Sequence, residues 1–187
     1  MRELSLHLLD IAENSISAKA KNIVIEVVEN IKSDLLQLSV QDDGCGMSPE
    51  MAAQVVDPFV TTRTTRKVGL GIPLLKEAAE ACNGGLSLVS KIGEGTKISV
   101  WFQHSHIDRM PLGDLVTTML HLEVANPQVH WVLNYQFNEN SYVFDDAPVK
   151  AELEGVSLSE PEILNCLREM IRSGIDEARG KISPNSN

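Results

Sequence analysis

The chain has 187 residues, is 43% hydrophobic and carries a formal net charge of −10 at pH 7. A strongly acidic chain disfavours nucleic acid and anionic membranes as partners, because both attract basic proteins. No apolar run approaches the roughly 20 residues that span a bilayer, and the N terminus lacks a signal-peptide apolar segment. We therefore expect a cytoplasmic protein. Three cysteines without a Cys-x-x-Cys pair argue against a disulfide framework or a structural zinc site.

The first predicted element is a helix over residues 3–19. Its apolar residues recur at spacings of three and four, which is the period of a helix with one buried face. Asp10 and Asn14 lie one turn apart on a different stripe. Two interpretations stay open for this pair: a solvated polar face, or a carboxylate and a carboxamide directed together at a metal ion or a water.

Two strands are predicted next, over residues 22–30 and 34–42. Both are rich in β-branched and apolar residues. The second strand ends in the run Asp42-Asp43-Gly44-Cys45-Gly46-Met47. Glycines at such a position predict a tight turn, and they also allow a ligand to approach the backbone with one carboxylate at the rim. A plain turn and a ligand-binding turn are both compatible with this run alone.

A short helix, a polar loop and a second long helix follow. Ser48-Pro49-Glu50 is typical of a helix N terminus, and residues 58–68 combine threonines with basic side chains in an otherwise acidic protein. Gly69 and Gly71 precede a helix that begins near Pro73. Glycines there expose backbone N–H groups at the positive end of a helix, which suits phosphate. The loop is either an ordinary solvated segment or a lid over a polyphosphate.

The next pair of strands, residues 86–90 and 96–102, is joined by the hairpin turn Gly93-Glu94-Gly95. Thr96 begins the second of these strands. Its hydroxyl either faces a pocket or simply belongs to a β-branched residue in a strand.

The segment after residue 104 predicts a helix over 111–124 and a hairpin of strands 129–137 and 141–144. Ser159-Glu160-Pro161-Glu162 predicts a capping box that opens a final helix. We expect a small α/β accessory unit over residues 105–180, which either completes the core or docks a partner. Residues 181–187 are expected to be a disordered tail.

Taken in order, these stretches resemble the GHKL ATPase superfamily, which includes sensor histidine kinases, anti-sigma-factor kinases, the gyrase B subunit and mismatch-repair ATPases. The helix over residues 8–18 resembles the N box, residues 42–47 the G1 box, residues 57–63 the F box with the start of a lid, and residues 69–72 the G2 box. The resemblance covers about residues 1–104. It implies an α+β fold, a two-layer sandwich of a mixed sheet with helices on one face, with the C-terminal α/β unit added to it.

The resemblance also implies ATP and Mg²⁺ as cofactors and a role for each matching residue. Asn14 is the implied magnesium ligand, Asp42 the acceptor for the adenine amino group with support from Thr96, and Asp10 and Glu13 are the candidates for the catalytic base. The implied nucleotide-binding residues are Asn14, Asp42, Gly44, Gly46, Met47, Phe59, Thr61, Thr62, Arg63, Lys67, Gly69, Leu70, Gly71 and Thr96.

The chain departs from the family pattern at the position of the catalytic base. Hydrolysing members carry Glu four positions before the magnesium Asn, where this chain has Asp10, and Glu13 lies directly beside Asn14. Because no dimerisation helix pair precedes the N box, we expect any phospho-acceptor to lie on another chain. The function expected is a Mg-ATP-binding kinase acting on an unidentified partner protein, or a slow ATPase. The alternative is a non-catalytic ATP-dependent switch, and a homodimer is an open alternative.

Overall fold

The structure is a computed structural model, and it describes residues 3–56, 71–153 and 155–181. Within these ranges the elements follow in the order α1 (Leu4–Ser17), β1 (Asn22–Asn30), β2 (Leu35–Asp42), α2 (Pro49–Val55), α3 (Gly71–Ala81), β3 (Gly85–Lys91), β4 (Gly95–Gln103), α4 (Leu115–Ala125), β5 (His130–Phe137), β6 (Asn140–Asp145), α5 (Asp146–Glu152) and α6 (Pro161–Ala178).

The described strands form one mixed sheet in the order β3-β4-β2-β1-β5-β6. β1 pairs with β2 in an antiparallel register that places Ile25 opposite Val40, and with β5 in a parallel register that places Ile25 opposite Leu133. The other pairings are antiparallel. The predicted α+β fold with a mixed sheet is confirmed.

Alternation along the strands buries one face of the sheet. In β1 the side chains of Ile23, Ile25 and Val27 are fully buried, while the residues between them are partly exposed. The buried side chains of the helices meet this face, and α1 contacts α3 and α4, which in turn contacts α6. This arrangement removes apolar surface from water on one side only, as expected for a two-layer sandwich.

The predicted boundary at residue 104 falls within a continuous sheet. β5 and β6 come from the C-terminal segment, and β5 pairs with β1 along its length. β1 would otherwise present an unpaired edge with a buried face beside it. The C-terminal segment therefore extends the same sheet and core.

Three local expectations need correction. The helix predicted from residue 111 begins at Leu115, because Asp114 caps it by accepting from the Thr117 N–H, and the carbonyls of Pro111 and Leu112 instead accept from α1. The final helix has Glu160 at its N-cap position without a side-chain cap, so the predicted capping box is absent. Helix α5 had not been predicted at all.

Within the described ranges, no helix is both long and apolar enough to cross a bilayer. The predicted tail lies outside these ranges from residue 182 onward.

Candidate functional site

A cavity of about 300 Å³ lies between α1 and the start of α3. Its wall brings together Asp10, Glu13 and Asn14 from α1 with Gly71 at the first position of α3. The full lining consists of His7, Asp10, Ile11, Glu13, Asn14, Ser17, Gly71, Ile72 and Leu75. A helix N terminus and a set of oxygen-bearing side chains therefore face one space.

Helical spacing explains this division of α1 into two sides. Leu4, Leu8 and Ile11 are buried in the core, whereas Glu13 and Asn14 are exposed. Residues three or four positions apart share a helix face. The same helix therefore anchors itself in the core and presents its carboxylates and the Asn14 amide to the cavity.

Gly71 brings α3 close to Asp10. A Cβ atom built on Gly71 would lie 3.1 Å from Oδ2 of Asp10, closer than an ordinary van der Waals contact. The carboxylate therefore lies against the N terminus of α3, where backbone N–H groups favour negative charge. Glycine at this position keeps that approach open.

His7 is a lining residue that was not assigned a role from the sequence. It is buried, and its Nδ1 has no hydrogen-bond partner in the structure. Burial lowers the pKa of His7, although the nearby Asp10 carboxylate acts in the opposite direction. The neutral imidazole therefore adds a polar group to the cavity wall. The sequence signal for this role is helical spacing, because a residue three positions before Asp10 lies on the same face of α1.

Asp42 is the last residue of the interior strand β2, and its carboxylate accepts two hydrogen bonds. Its Oδ1 accepts from the Gly44 N–H at 2.9 Å, and its Oδ2 accepts from Oγ of Ser15 at 2.6 Å. Ser15 follows Asn14 on α1, so the buried carboxylate is tied to the helix that lines the cavity. A serine on the buried side of a helix has no distinctive sequence signal, so the sequence did not indicate this contact.

Thr96 lies directly opposite Asp42 in the β2–β4 register. Its Oγ1 is 2.8 Å from Oγ of Ser90, and this second hydroxyl also accepts from the Met47 N–H at 2.8 Å. Asp42, Met47 and Thr96 are thereby gathered at one end of the sheet. Ser90 was not singled out from the sequence, because a serine in a strand carries no distinctive signal.

Gly46 is required by the protein's own backbone. Its φ is +64°, and a Cβ atom there would lie 1.9 Å from the carbonyl oxygen of Lys91. A side chain at this position is therefore strained by conformation and by contact. The fold itself therefore requires glycine at position 46. The role of Gly46 in letting a purine approach the backbone stays a prediction.

Several predicted site residues lie outside the described ranges. These are Phe59, Thr61, Thr62, Arg63, Lys67, Gly69 and Leu70. Among the described residues that the sequence assigned, Asp10, Glu13, Asn14 and Gly71 line the cavity, whereas Asp42, Gly44, Gly46, Met47 and Thr96 are not among its lining residues.

Comparison with known families gives a match over more than half of the chain. The family described as "Histidine kinase-, DNA gyrase B-, and HSP90-like ATPase" matches residues 2–106. The NtrY-like sensor histidine kinase of Rickettsia conorii is 29% identical over 108 residues, which cover 58% of this chain and 18% of that protein. Sensor protein kinase FleS of Pseudomonas aeruginosa is 40% identical over 88 residues, which cover 47% of this chain and 22% of that protein.

Among solved structures, the MutL ATPase domain of Aquifex aeolicus, complexed with ADP, is similar with a TM-score of 0.51 at 15% sequence identity. The similarity covers 92% of this chain and 70% of that domain, and it shows a shared fold. The chain spans less than a quarter of the length of the two kinases that it matches.

Proposed function

The chain belongs to the family of histidine kinase-, DNA gyrase B- and HSP90-like ATPases, and we propose that it binds Mg-ATP in the cavity between α1 and α3. The bound nucleotide then either transfers its γ-phosphate to a partner protein or is hydrolysed slowly. The observation that carries this proposal is the cavity itself, which gathers Asp10, Asn14 and Gly71. Asp42 does not line the cavity, but it is hydrogen-bonded to Ser15, the residue that follows Asn14 on α1.

Each group supplies a chemistry that the nucleotide needs. The Asn14 carbonyl oxygen is a suitable ligand for Mg²⁺, which prefers oxygen ligands and substrate phosphates. The N terminus of α3 offers backbone N–H groups to the phosphates. Asp42 has a carboxylate positioned by Ser15 and Gly44, and a carboxylate is a good acceptor for the adenine amino group.

The base that activates the attacking group is assigned to Asp10, with Glu13 as the competing residue. Both line the cavity. Asp10 lies against the α3 N terminus and beside the buried His7, whereas Glu13 is exposed to solvent. Phosphoryl transfer depends mainly on positioning and charge neutralisation, so the better-positioned carboxylate is favoured.

A single assay separates transfer from hydrolysis. The protein is incubated with γ-labelled ATP and Mg²⁺, alone and with a cell extract, and free phosphate and labelled protein are measured. We expect the wild type to form one of these products. Asp10→Asn should no longer form it, whereas Glu13→Gln should still do so. If neither product forms, the catalytic proposal fails and ATP binding would serve only to switch conformation.

Binding is tested separately by calorimetry. Asn14→Ala is expected to abolish the Mg²⁺ dependence of ATP binding, while Asn165→Ala, which removes an exposed amide of α6 that does not line the cavity, should bind as the wild type does. An unchanged Asn14→Ala would contradict the magnesium assignment.

The adenine assignment is tested with ADP. Asp42→Asn is expected to weaken ADP binding by several-fold or more, because an amide can donate where a carboxylate only accepts. The adjacent exposed Asp43 provides the matched control, Asp43→Asn, which should bind ADP normally. Equal losses in both variants would show an effect of the turn rather than of adenine recognition.

A further inference from the structure

A second group of ligand-forming side chains lies away from the cavity. His130, Asp145 and Asp146 each place one ligand atom within 4.8 Å of the other two. Nε2 of His130 is 2.9 Å from Oδ1 of Asp145 and 4.0 Å from Oδ1 of Asp146. His130 begins β5, and the two carboxylates stand where β6 passes into α5.

The orientation of His130 is set by a chain of hydrogen bonds. Nδ2 of Asn22 donates to Asp43 at 2.6 Å, so Oδ1 of Asn22 faces Nδ1 of His130, at 3.0 Å, as an acceptor. Nδ1 therefore carries the hydrogen. A ring with its hydrogen on Nδ1 presents the lone pair of Nε2 toward Asp145. A lone pair and a carboxylate oxygen at 2.9 Å repel each other unless a proton or a metal ion lies between them.

Backbone N–H groups also fix the orientation of the two carboxylates. Oδ1 of Asp145 accepts from the Ala147 N–H at 2.9 Å, and Oδ1 of Asp146 accepts from the Trp131 N–H at 3.0 Å. Asp146 is 1% exposed, and its Oδ2 forms an ion pair with Nζ of Lys150 at 2.5 Å. Outer contacts of this kind orient the ligands of metal sites in proteins.

We propose that His130, Asp145 and Asp146 bind a divalent transition-metal ion of the Zn²⁺ class. One imidazole and two carboxylates suit such an ion, whereas Mg²⁺ and Ca²⁺ favour sites made of oxygen alone. His130 and Asp145 are 37% and 45% exposed, so solvent reaches the site and water can complete the coordination.

The test uses the full chain after treatment with a chelator, without nucleotide. Co²⁺ binding is followed by visible absorption and Zn²⁺ binding by calorimetry. We expect one ion per chain, with affinity reduced at least about tenfold in His130→Gln and in Asp145→Asn, since even outer-shell changes cost about 10- to 100-fold. His121→Gln, which alters an exposed histidine of α4, should bind as the wild type does.

Asp145→Asn and one further variant, Asn14→Ala, make the outcome decisive. Asp145→Asn retains an oxygen that can accept the Ala147 N–H, so it decides the matter if His130→Gln fails to fold. Asn14→Ala changes the other proposed cation site and should leave Co²⁺ binding intact. The proposal is overturned if Co²⁺ does not bind, if Asp145→Asn binds it as tightly as the wild type, or if Asn14→Ala abolishes binding. A proton then bridges His130 and Asp145 in a plain ion pair.

Discussion

Ser15 and Asp42 are 27 residues apart in the sequence, and Oγ of Ser15 donates a 2.6 Å hydrogen bond to Oδ2 of Asp42. Ser15→Ala removes this bond and frees the carboxylate to rotate. We expect ADP binding to weaken roughly 3- to 10-fold, since a hydrogen bond contributes about 1 kcal/mol net and tenfold in affinity is about 1.4 kcal/mol. Calorimetry with ADP and Mg²⁺ measures the change.

The control for this prediction is Ser173→Ala, because Ser173 is an exposed serine of α6 that does not line the cavity. Inorganic triphosphate, which has no base, should bind Ser15→Ala and the wild type alike. Equal ADP affinity of Ser15→Ala and the wild type would show that Ser15 does not position Asp42.

Gly71 and Asp10 give a prediction that separates function from stability. A methyl group on Gly71 would meet Oδ2 of Asp10 at 3.1 Å, so Gly71→Ala must displace the carboxylate. Gly71 is the first residue of α3, where the preference of a helix interior for alanine has little effect, so we expect the free energy of unfolding to change by less than about 1 kcal/mol. Mg-ATP binding should weaken about 3- to 10-fold, or about 0.7 to 1.4 kcal/mol.

A double-mutant cycle provides the control for this contact. In an Asp10→Ala background the clash is gone, so Gly71→Ala should change Mg-ATP binding by less than in the wild type. The same loss in both backgrounds would mean that the methyl group obstructs the phosphates directly.

The strands and the long helices could be predicted because their signals are local. The β-branched run of β1, the glycines around β3 and β4, and the apolar stripe of α1 each report on a few neighbouring residues. The parallel pairing of β1 with β5 could not be predicted in this way. It pairs Ile25 with Leu133, which lies far away in the sequence. A local pattern does not indicate which of the distant strands will pair with β1.

The candidate site was predictable only in part for the same reason. Asp10, Asn14 and Asp42 belong to short motifs with characteristic spacing. His7 and Ser15 acquire their positions through contacts between α1, α3 and β2. Their residue types are common on helices, so burial and a partner had to be seen before a role could be assigned.

Glu29 and Arg179 are 150 residues apart and form a partly buried ion pair that connects the end of α6 to β1. Tyr135 also donates to Oε1 of Glu29, at 2.6 Å. Arg179→Met would leave the carboxylate buried without its cation, and we expect a loss of roughly 2 to 4 kcal/mol in the free energy of unfolding. Arg172→Met breaks an exposed pair with Glu169 and should cost less than about 1 kcal/mol. Denaturant titration measures both.

The acid dependence of stability tests the same ion pair. Burial alone would raise the pKa of Glu29, but hydrogen bonds from Tyr135 and Arg179 outweigh it and lower the pKa below 4.5. The resulting stability is present above 4.5 and is lost as pH falls through the folded-state pKa. Arg179→Met should therefore show a weaker acid dependence than the wild type. An unchanged acid dependence would contradict the role of Arg179.

Glu123 gives a prediction in the opposite direction of pH, since its contribution to stability is lost as the pH rises. It is 0% exposed, and neither of its carboxylate oxygens has a hydrogen-bond partner in the structure. Burial, and secondarily the Asp146 charge, raises the pKa of Glu123 from 4.5 to about 8, against the opposing effect of Lys150. A raised pKa stabilises the folded protein below 4.5, and this contribution is lost as pH rises through about 8.

Glu123→Gln keeps the shape of the side chain and removes its titration. We expect the free energy of unfolding to fall less between pH 5 and pH 9 in this variant than in the wild type, by roughly 2 to 4 kcal/mol, because each unit of pKa shift corresponds to about 1.4 kcal/mol. Glu152→Gln, on the exposed side of α5, should leave the pH dependence unchanged. Urea unfolding at several pH values measures the slopes. Identical slopes for Glu123→Gln and the wild type would mean that Glu123 is already ionised in the folded protein, which its lack of partners makes costly.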